Sequence, residues 1–430
     1  MPATDHNQGS FLNRISIRRS QFAAVDHIHD QEVVDLDLFQ RHVSDRFSLL
    51  LSPSTTTTTT TTTTDSHETH HTHPPPPPQI LSISWLRNLL DAFLCCEAEF
   101  KAVLVSGRDP AQFSRPPLDR LVPDLLERSV KALDVCNAVT HGVDIVQHWH
   151  KLAQIAVTSL SQNPVGEGQV RRAKKALTTL LTLMVSDDNK ENNATTTTTN
   201  NAHATKWADR TRSFSRRGAA AATTTNNKER PTGKNLRSLS WSVSKSWSAA
   251  KQIQTMSANL VAPRGAESTG LAQPVYIMNT LIVFITWALV AAIPCQERNG
   301  LPTHFQNIPR NLGWAQPLIG LQEKIGEEWK KKEKKGTAGL LEELKEMEKV
   351  ANSLLEFADG FEFPMEEEKA AGMAVKVAEM GEICRRMEEG LGPLNQQVRE
   401  VFHRIVKSRA EVLDVLDHIQ VCKHSAPLPY

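Results

Sequence analysis

Only two tyrosines occur in 430 residues, and aromatic side chains make up 6% of the chain. Sandwiches and barrels draw heavily on aromatic and β-branched residues for their pleated faces, so this scarcity argues against an all-β fold. Cysteine pairing is lacking as well. Cys95, Cys96, Cys136, Cys295, Cys384 and Cys422 are scattered, with no C-x-x-C spacing. A secreted disulfide framework is therefore not expected, and a reducing cytosolic setting is the simpler reading. The net charge of +1 leaves no bulk bias toward nucleic acid or anionic lipid. The N-terminal arm carries Arg14, Arg18 and Arg19, but no apolar stretch follows them, so no secretory signal is read there. Its Arg- and Ser-rich, acid-poor composition is shared with organellar transit peptides; a basic, disordered arm is the plainer expectation. A glycine-rich phosphate loop and a nucleophile elbow are both missing.

What is present is helical periodicity interrupted by low-complexity tracts. Leu36, Phe39, Val43, Phe47 and Leu50 recur at steps of three and four, which places them on one helical face. Ten threonines (Thr55–Thr64), a His-rich patch and five prolines (Pro74–Pro78) follow, and such a stretch cannot offset the entropy of ordering. Helical patterning resumes at Trp85 and runs to about Leu104. A second long pattern spans Leu121 to about Leu160, where Gly142 is a candidate kink, and a third spans Val170–Val185. Beyond the middle of the chain, helices are predicted over roughly 316–358, 366–390 and 394–421, separated at Pro364 and Pro393. In the last, Leu394, Val398, Val401, Ile405, Val412, Val415 and Ile419 follow alternating four–three steps broken only by Ser408. That heptad-like seam suits a bundle or a coiled coil.

The expected fold is therefore all-α: a long-helix bundle with disordered Thr-, Asn- and Pro-rich inserts and one 19-residue apolar helix. Its divisions are a basic arm with the first helix (1–52), a Thr/His/Pro linker (53–79), a helical region (80–188), a basic Ser/Thr/Asn-rich linker (189–274), the apolar helix (275–293) and a C-terminal helical region (294–430).

Four long strings, MPATDHNQGSFLNRISIRRSQ, LRSLSWSVSKSWSAAKQIQ, FITWALVAAIPCQERNGL and GPLNQQVREVFHRIVKSRAEVLD, resemble the plant BYPASS-like family, in particular its Roh branch. The resemblance runs over nearly the whole chain apart from the Thr and Asn tracts. It implies a non-enzymatic adaptor or regulator of secretion, because Roh proteins are described as partners of a subunit of the exocyst, the tether that docks secretory vesicles. It implies an alternative as well, a developmental regulator, since related BYPASS proteins restrain a root-derived signal. No catalytic residues and no cofactor carry over.

Other constellations weigh less. His67-Glu68-Thr69-His70-His71 satisfies the H-E-x-x-H zinc-protease pattern, which needs a helix and a third ligand. Between a threonine tract and a proline tract it reads as accidental, and no metal site is expected. Asp144, His148 and His150 read as polar residues of one helix. Cys95-Cys96 reads as a packed pair, with acylation the functional alternative. The run Lys330–Lys335 beside Glu327 and Glu328 reads as a solvated helical face.

Within 189–274, Lys and Arg outnumber Asp and Glu by nine. Arg212-x-x-Ser215 and Arg237-x-x-Ser240 match sites for basophilic kinases, which makes Ser215 and Ser240 the candidate phosphorylation sites. Trp241 and Trp247, with Lys245 and Lys251, have the composition of an interfacial segment that inserts indoles while lysines face anionic lipid. With no recognisable nucleic-acid module beside this charge, no nucleic-acid partner is expected.

The apolar segment from Val275 to Ile293, with Leu281, Phe284, Trp287 and Leu289 between them, contains 19 residues without a charge. At about 1.5 Å per residue it nearly covers a hydrocarbon core of about 30 Å. Its ten Leu, Ile, Phe and Val residues contribute roughly −3 to −6 kcal/mol toward insertion. Asn279, Thr280 and Thr286 offset part of that, and an all-round apolar helix also suits the centre of a large bundle. Two readings therefore stand, a single membrane span and a buried core helix. The expected localisation is cytoplasmic and membrane-associated, with a single-pass arrangement as the stronger form.

Overall fold

In the computed structural model, the structure describes residues 24–51, 79–105, 110–162, 164–186, 247–264, 270–295, 300–303, 308–333, 339–361 and 366–424. The chain divides into two units, Met1–Asp188 with Ser248–Tyr430, and Asn189–Trp247. Every helix below belongs to the first. In chain order they are α1 (Ala24–Leu51), α2 (Ile83–Val105), α3 (Leu118–Leu160), α4 (Glu167–Ser186), α5 (Ala249–Ala258), α6 (Ala272–Ala292), α7 (Gln316–Glu333), α8 (Glu342–Asp359) and α9 (Glu367–His424), with short 3₁₀ turns at Pro110–Ser114 and Gly313–Ala315. No strand occurs among the described residues, and the all-α expectation holds.

Two long helices, α3 and α9, form the frame. His150 of α3 meets Cys384 of α9, while Leu125 and Ser129 lie beside Ile405 and Ser408, so the two run antiparallel. The pairs Arg87–Gln397 and Lys101–Glu411 show that α2 runs parallel to α9. On the face of α3 that packs against its neighbours, Ala132, Ala153 and Ala156 are buried, and small residues let helix axes approach closely. Val130 and Ile155, which belong to its apolar period, are exposed instead.

Three expectations about helix ends are corrected, the first being that the helix read over roughly 316–358 is two, α7 ending at Glu333 and α8 beginning at Glu342. Pro393 does not divide the C-terminal region; it lies inside α9, which is one helix of 58 residues. A proline inside a helix costs about 3 kcal/mol. Met387, Leu391, Leu394 and Val398 are buried around it, and full burial of such side chains contributes roughly 1.5–3 kcal/mol each, so packing outweighs the break. The stretch read as a continuous linker to residue 274 also contains α5. Ser248 caps it, its hydroxyl accepting from the Lys251 amide at 3.3 Å, and Ala249, Ala250, Ile253 and Met256 are buried toward α3 and α6. Ten residues of amphipathic pattern were hidden there by the surrounding charge and serine.

Gly142 serves close packing. A Cβ built on it would stand 2.4 Å from the Pro294 carbonyl oxygen and 2.7 Å from Ile293 Cγ2. Alanine improves helix propensity by about 1 kcal/mol, while overpacking against backbone costs about 1–3 kcal/mol. Gly142→Ala is therefore expected to destabilise the protein by about 1 kcal/mol. An increase in the urea midpoint would show that this contact is not tight.

Candidate functional site

The six residues that mark the apolar segment, Val275, Leu281, Phe284, Trp287, Leu289 and Ile293, are all buried, as is every residue of α6. Helices α1, α2, α3, α5 and α7 pack around it. Phe284 meets Phe47 of α1 edge-on with ring centres 5.9 Å apart, and Tyr276 meets Trp314 in the same manner at 6.0 Å. The Trp287 indole donates to Pro302 O at 2.8 Å. Thr280 and Thr286 return their hydroxyls to the Tyr276 and Ile282 carbonyls at 2.9 and 2.7 Å. In this structure the segment is enclosed on every side by other helices of the bundle.

One charge is sunk into that core. Arg128 of α3 is 4% exposed. Its Nε donates to Met256 O at 2.9 Å, in the last turn of α5, and its Nη1 donates to Asn279 Oδ1 at 2.8 Å. Asp124, one turn earlier, lies 3.5 Å away. The carbonyl end of α5 carries the negative pole of that helix and suits a cation. Burial pulls the guanidinium below its ordinary pKa and Asp124 opposes the shift. The Asn279 amide in turn donates to Val275 O at 2.9 Å and to Leu121 O at 3.3 Å. Asn279 thus ties α6 to α3 and, through Arg128, to α5. Sequence reading counted Asn279 only as a cost of membrane insertion. Arg128 had no spacing signal at all within a 43-residue helix.

The far end of α6 is closed by backbone. Leu340 N donates to Ala291 O at 3.0 Å and Leu341 N to Ala292 O at 3.1 Å, satisfying carbonyls that a helix end leaves open. The adjoining Glu343 carboxylate accepts from Ile83 N at 3.0 and 3.2 Å, at the start of α2. A buried carboxylate there complements the positive pole of α2, while burial raises its pKa.

Beside the core, α2, α3, α6 and α9 border a narrow cleft in two adjoining parts of only about 20 and 40 Å³. The inner part is walled by Phe93, Phe100, Leu125, Met278, Ile282 and Ile405, and the outer by Leu104, Phe113 and Val415; Ser408 and Val412 border both. Glu97 projects into the inner part. It is 4% exposed, and burial raises its carboxyl pKa against the pull of Arg404 and a hydrogen bond with Ser408.

A family model described as Protein ROH1-like matches residues 1–416. The chain belongs to the ROH1-like family. Protein ROH1A of Arabidopsis thaliana is 54% identical over 427 residues, covering 99% of each chain. Protein ROH1D of the same plant is 39% identical over 438 residues, covering 97% of this chain and 98% of its own. Neither name denotes an enzyme. No solved structure matches.

His67–His71, Ser215, Ser240, Trp241 and Lys245 lie outside the described residues. Trp247 lies two residues before α5, and Lys251 is exposed on its first turn. Asp144 and His148 face solvent, while His150 is buried and bonds the Cys384 carbonyl at 3.0 Å; burial lowers its pKa. Cys95 is exposed, whereas Cys96 is buried and its thiol pKa is pushed up to about 12 by desolvation. No group of three His, Cys, Asp or Glu side chains able to hold a metal occurs among the described residues.

Proposed function

We propose that this ROH1-like protein is a non-enzymatic adaptor or regulator of exocyst-dependent secretion, cytoplasmic and attached to membranes at their surface. The observation that carries this reading is the likeness over the full chain, 54% identical to Protein ROH1A; the exocyst is what the resemblance to the Roh branch implies. Affinity capture from plant cells under mild crosslinking tests it. An exocyst subunit is expected in the recovered complex. Its absence would favour the developmental regulator that restrains a mobile signal.

Surface attachment, with α6 kept in the bundle, is supported by the burial of all 21 α6 residues. Anionic lipid is the proposed membrane partner, met by the basic stretch around Trp241, Lys245, Trp247 and Lys251. On this reading, alkaline carbonate releases the protein from membranes. Retention in the membrane pellet would instead establish a span, since a bilayer can take α6 only if the bundle gives it up.

A further inference from the structure

Helix α4 carries a charge density that its packing does not use. Val170, Ala173, Leu177 and Leu180 are buried on the face that packs against α3 and α8. Helical spacing then gathers Arg171, Arg172, Lys174 and Lys175 on the outer face, where all four are exposed. Arg171 meets Glu167 at 2.5 Å and Lys174 meets Asp359 of α8 at 2.6 Å. Such exposed pairs are worth little and exchange readily for another anion. Arg172 and Lys175 have no ion-pair partner among the described residues. Beyond Lys175 the helix continues for about 16 Å before the chain reaches Asp187 and Asp188, farther than the screening length of about 8 Å.

The surrounding helices give this face a direction. α4 packs against α3 and α8, and both of these pack against α9, so α4 and the first half of α9 stand at opposite corners of a four-helix bundle. α4 has four Lys and Arg against one Glu, whereas 366–389 of α9 has seven Glu against four Lys and Arg. An anionic surface therefore attracts the α4 corner and repels the α9 corner. Four or more cations on an amphipathic helix are the pattern that anionic lipid recognises. Beside them stand the exposed Thr178, Thr179 and Thr182, while Val185, the exposed aliphatic residue, lies at the far end of α4. The cations thus lack the apolar anchor on which a protein interface centres, and a bilayer is the better match. Lipid held by the basic stretch that ends at Lys251 of α5 keeps the bundle at the surface, so contact through α4 is intramolecular and a patch of modest charge suffices.

We infer that the outer face of α4 is a second lipid contact, on which Arg171, Arg172, Lys174 and Lys175 meet the headgroups of an anionic bilayer and turn the first half of α9 away from it. It rests on the surface-attachment reading and adds to it a defined face and an orientation.

The test is sedimentation of the full chain with vesicles of phosphatidylcholine containing one-third phosphatidylserine, against phosphatidylcholine alone. Arg172→Glu with Lys175→Glu is expected to weaken binding to the anionic vesicles by roughly tenfold. Lys369→Glu with Lys376→Glu makes the same change of charge on α9, and is expected to alter binding by less than about twofold, because that corner faces away. Unchanged urea midpoints report intact folds. Equal loss in both pairs would make the effect one of net charge and overturn the face, as would unaltered binding of the α4 pair. If Trp241→Ala, Lys245→Ala and Trp247→Ala together remove lipid binding and the α4 pair does not, the basic stretch stands and this face falls. The reverse result keeps the face and rejects the basic stretch. Equal binding of the wild type to neutral and anionic vesicles overturns both.

Discussion

Replacing Asn279 with leucine is expected to destabilise the protein by about 3 kcal/mol, although the change makes the most apolar helix more apolar. Asn279 Oδ1 is the acceptor for Arg128 Nη1, and both residues are buried. Removing it leaves a charged donor facing hydrocarbon. Breaking a buried charged pair from one side costs roughly 3–5 kcal/mol, and the Met256 carbonyl and Asp124 that remain hold this case to the lower end. Urea denaturation of the purified chain measures it. The double variant Arg128→Met with Asn279→Leu is expected to recover most of the loss, because two apolar side chains leave no buried group unmet. The same substitution has the opposite sign for a membrane span, where losing an amide favours insertion. A change below about 1 kcal/mol would therefore remove Asn279 from the account of what holds α6 in the bundle.

Gly339→Ala is expected to cost about 3–5 kcal/mol, from three additive sources. Gly339 has φ +84°, a left-handed conformation that costs a residue with a Cβ about 1–2 kcal/mol. The new methyl would stand 2.4 Å from Ala292 O and 3.3 Å from the Pro294 ring, so the segment must move, at a further 1–3 kcal/mol or so. Movement pulls the Leu340 and Leu341 amides off the last carbonyls of α6. Gly372→Ala is the control: it lies inside α9 with open space where the methyl would go, and a stabilisation of up to about 1 kcal/mol is expected. Equal midpoints for the two alanine variants would mean that Gly339 does not close the end of α6.

The helices themselves were legible because helix formation follows local periodicity. The stripe Leu36, Phe39, Val43 and Phe47, the seam from Leu394 to Ile405 and the uncharged run from Val275 to Ile293 all lie where their spacing placed them, and all are buried. The family was legible too, since four unusual strings survive in a chain 54% identical to its relative. The candidate cleft was only half legible. Val412 and Val415 stood out by spacing, but Glu97 comes from a different helix and shares no sequence signature with them.

Tertiary structure decided what local pattern leaves open. Whether α6 crosses a bilayer or fills a bundle depends on what surrounds it. Hydropathy scores only the segment, whereas Arg128, Gly142 and Leu340 reach it from far along the chain. Whether Pro393 ends a helix depends on whether burial on both sides exceeds the local cost, and here it does. Sequence alone therefore determined that this is a ROH1-like helical protein with one exceptional apolar helix; only the packing of distant side chains determined that this helix is its core.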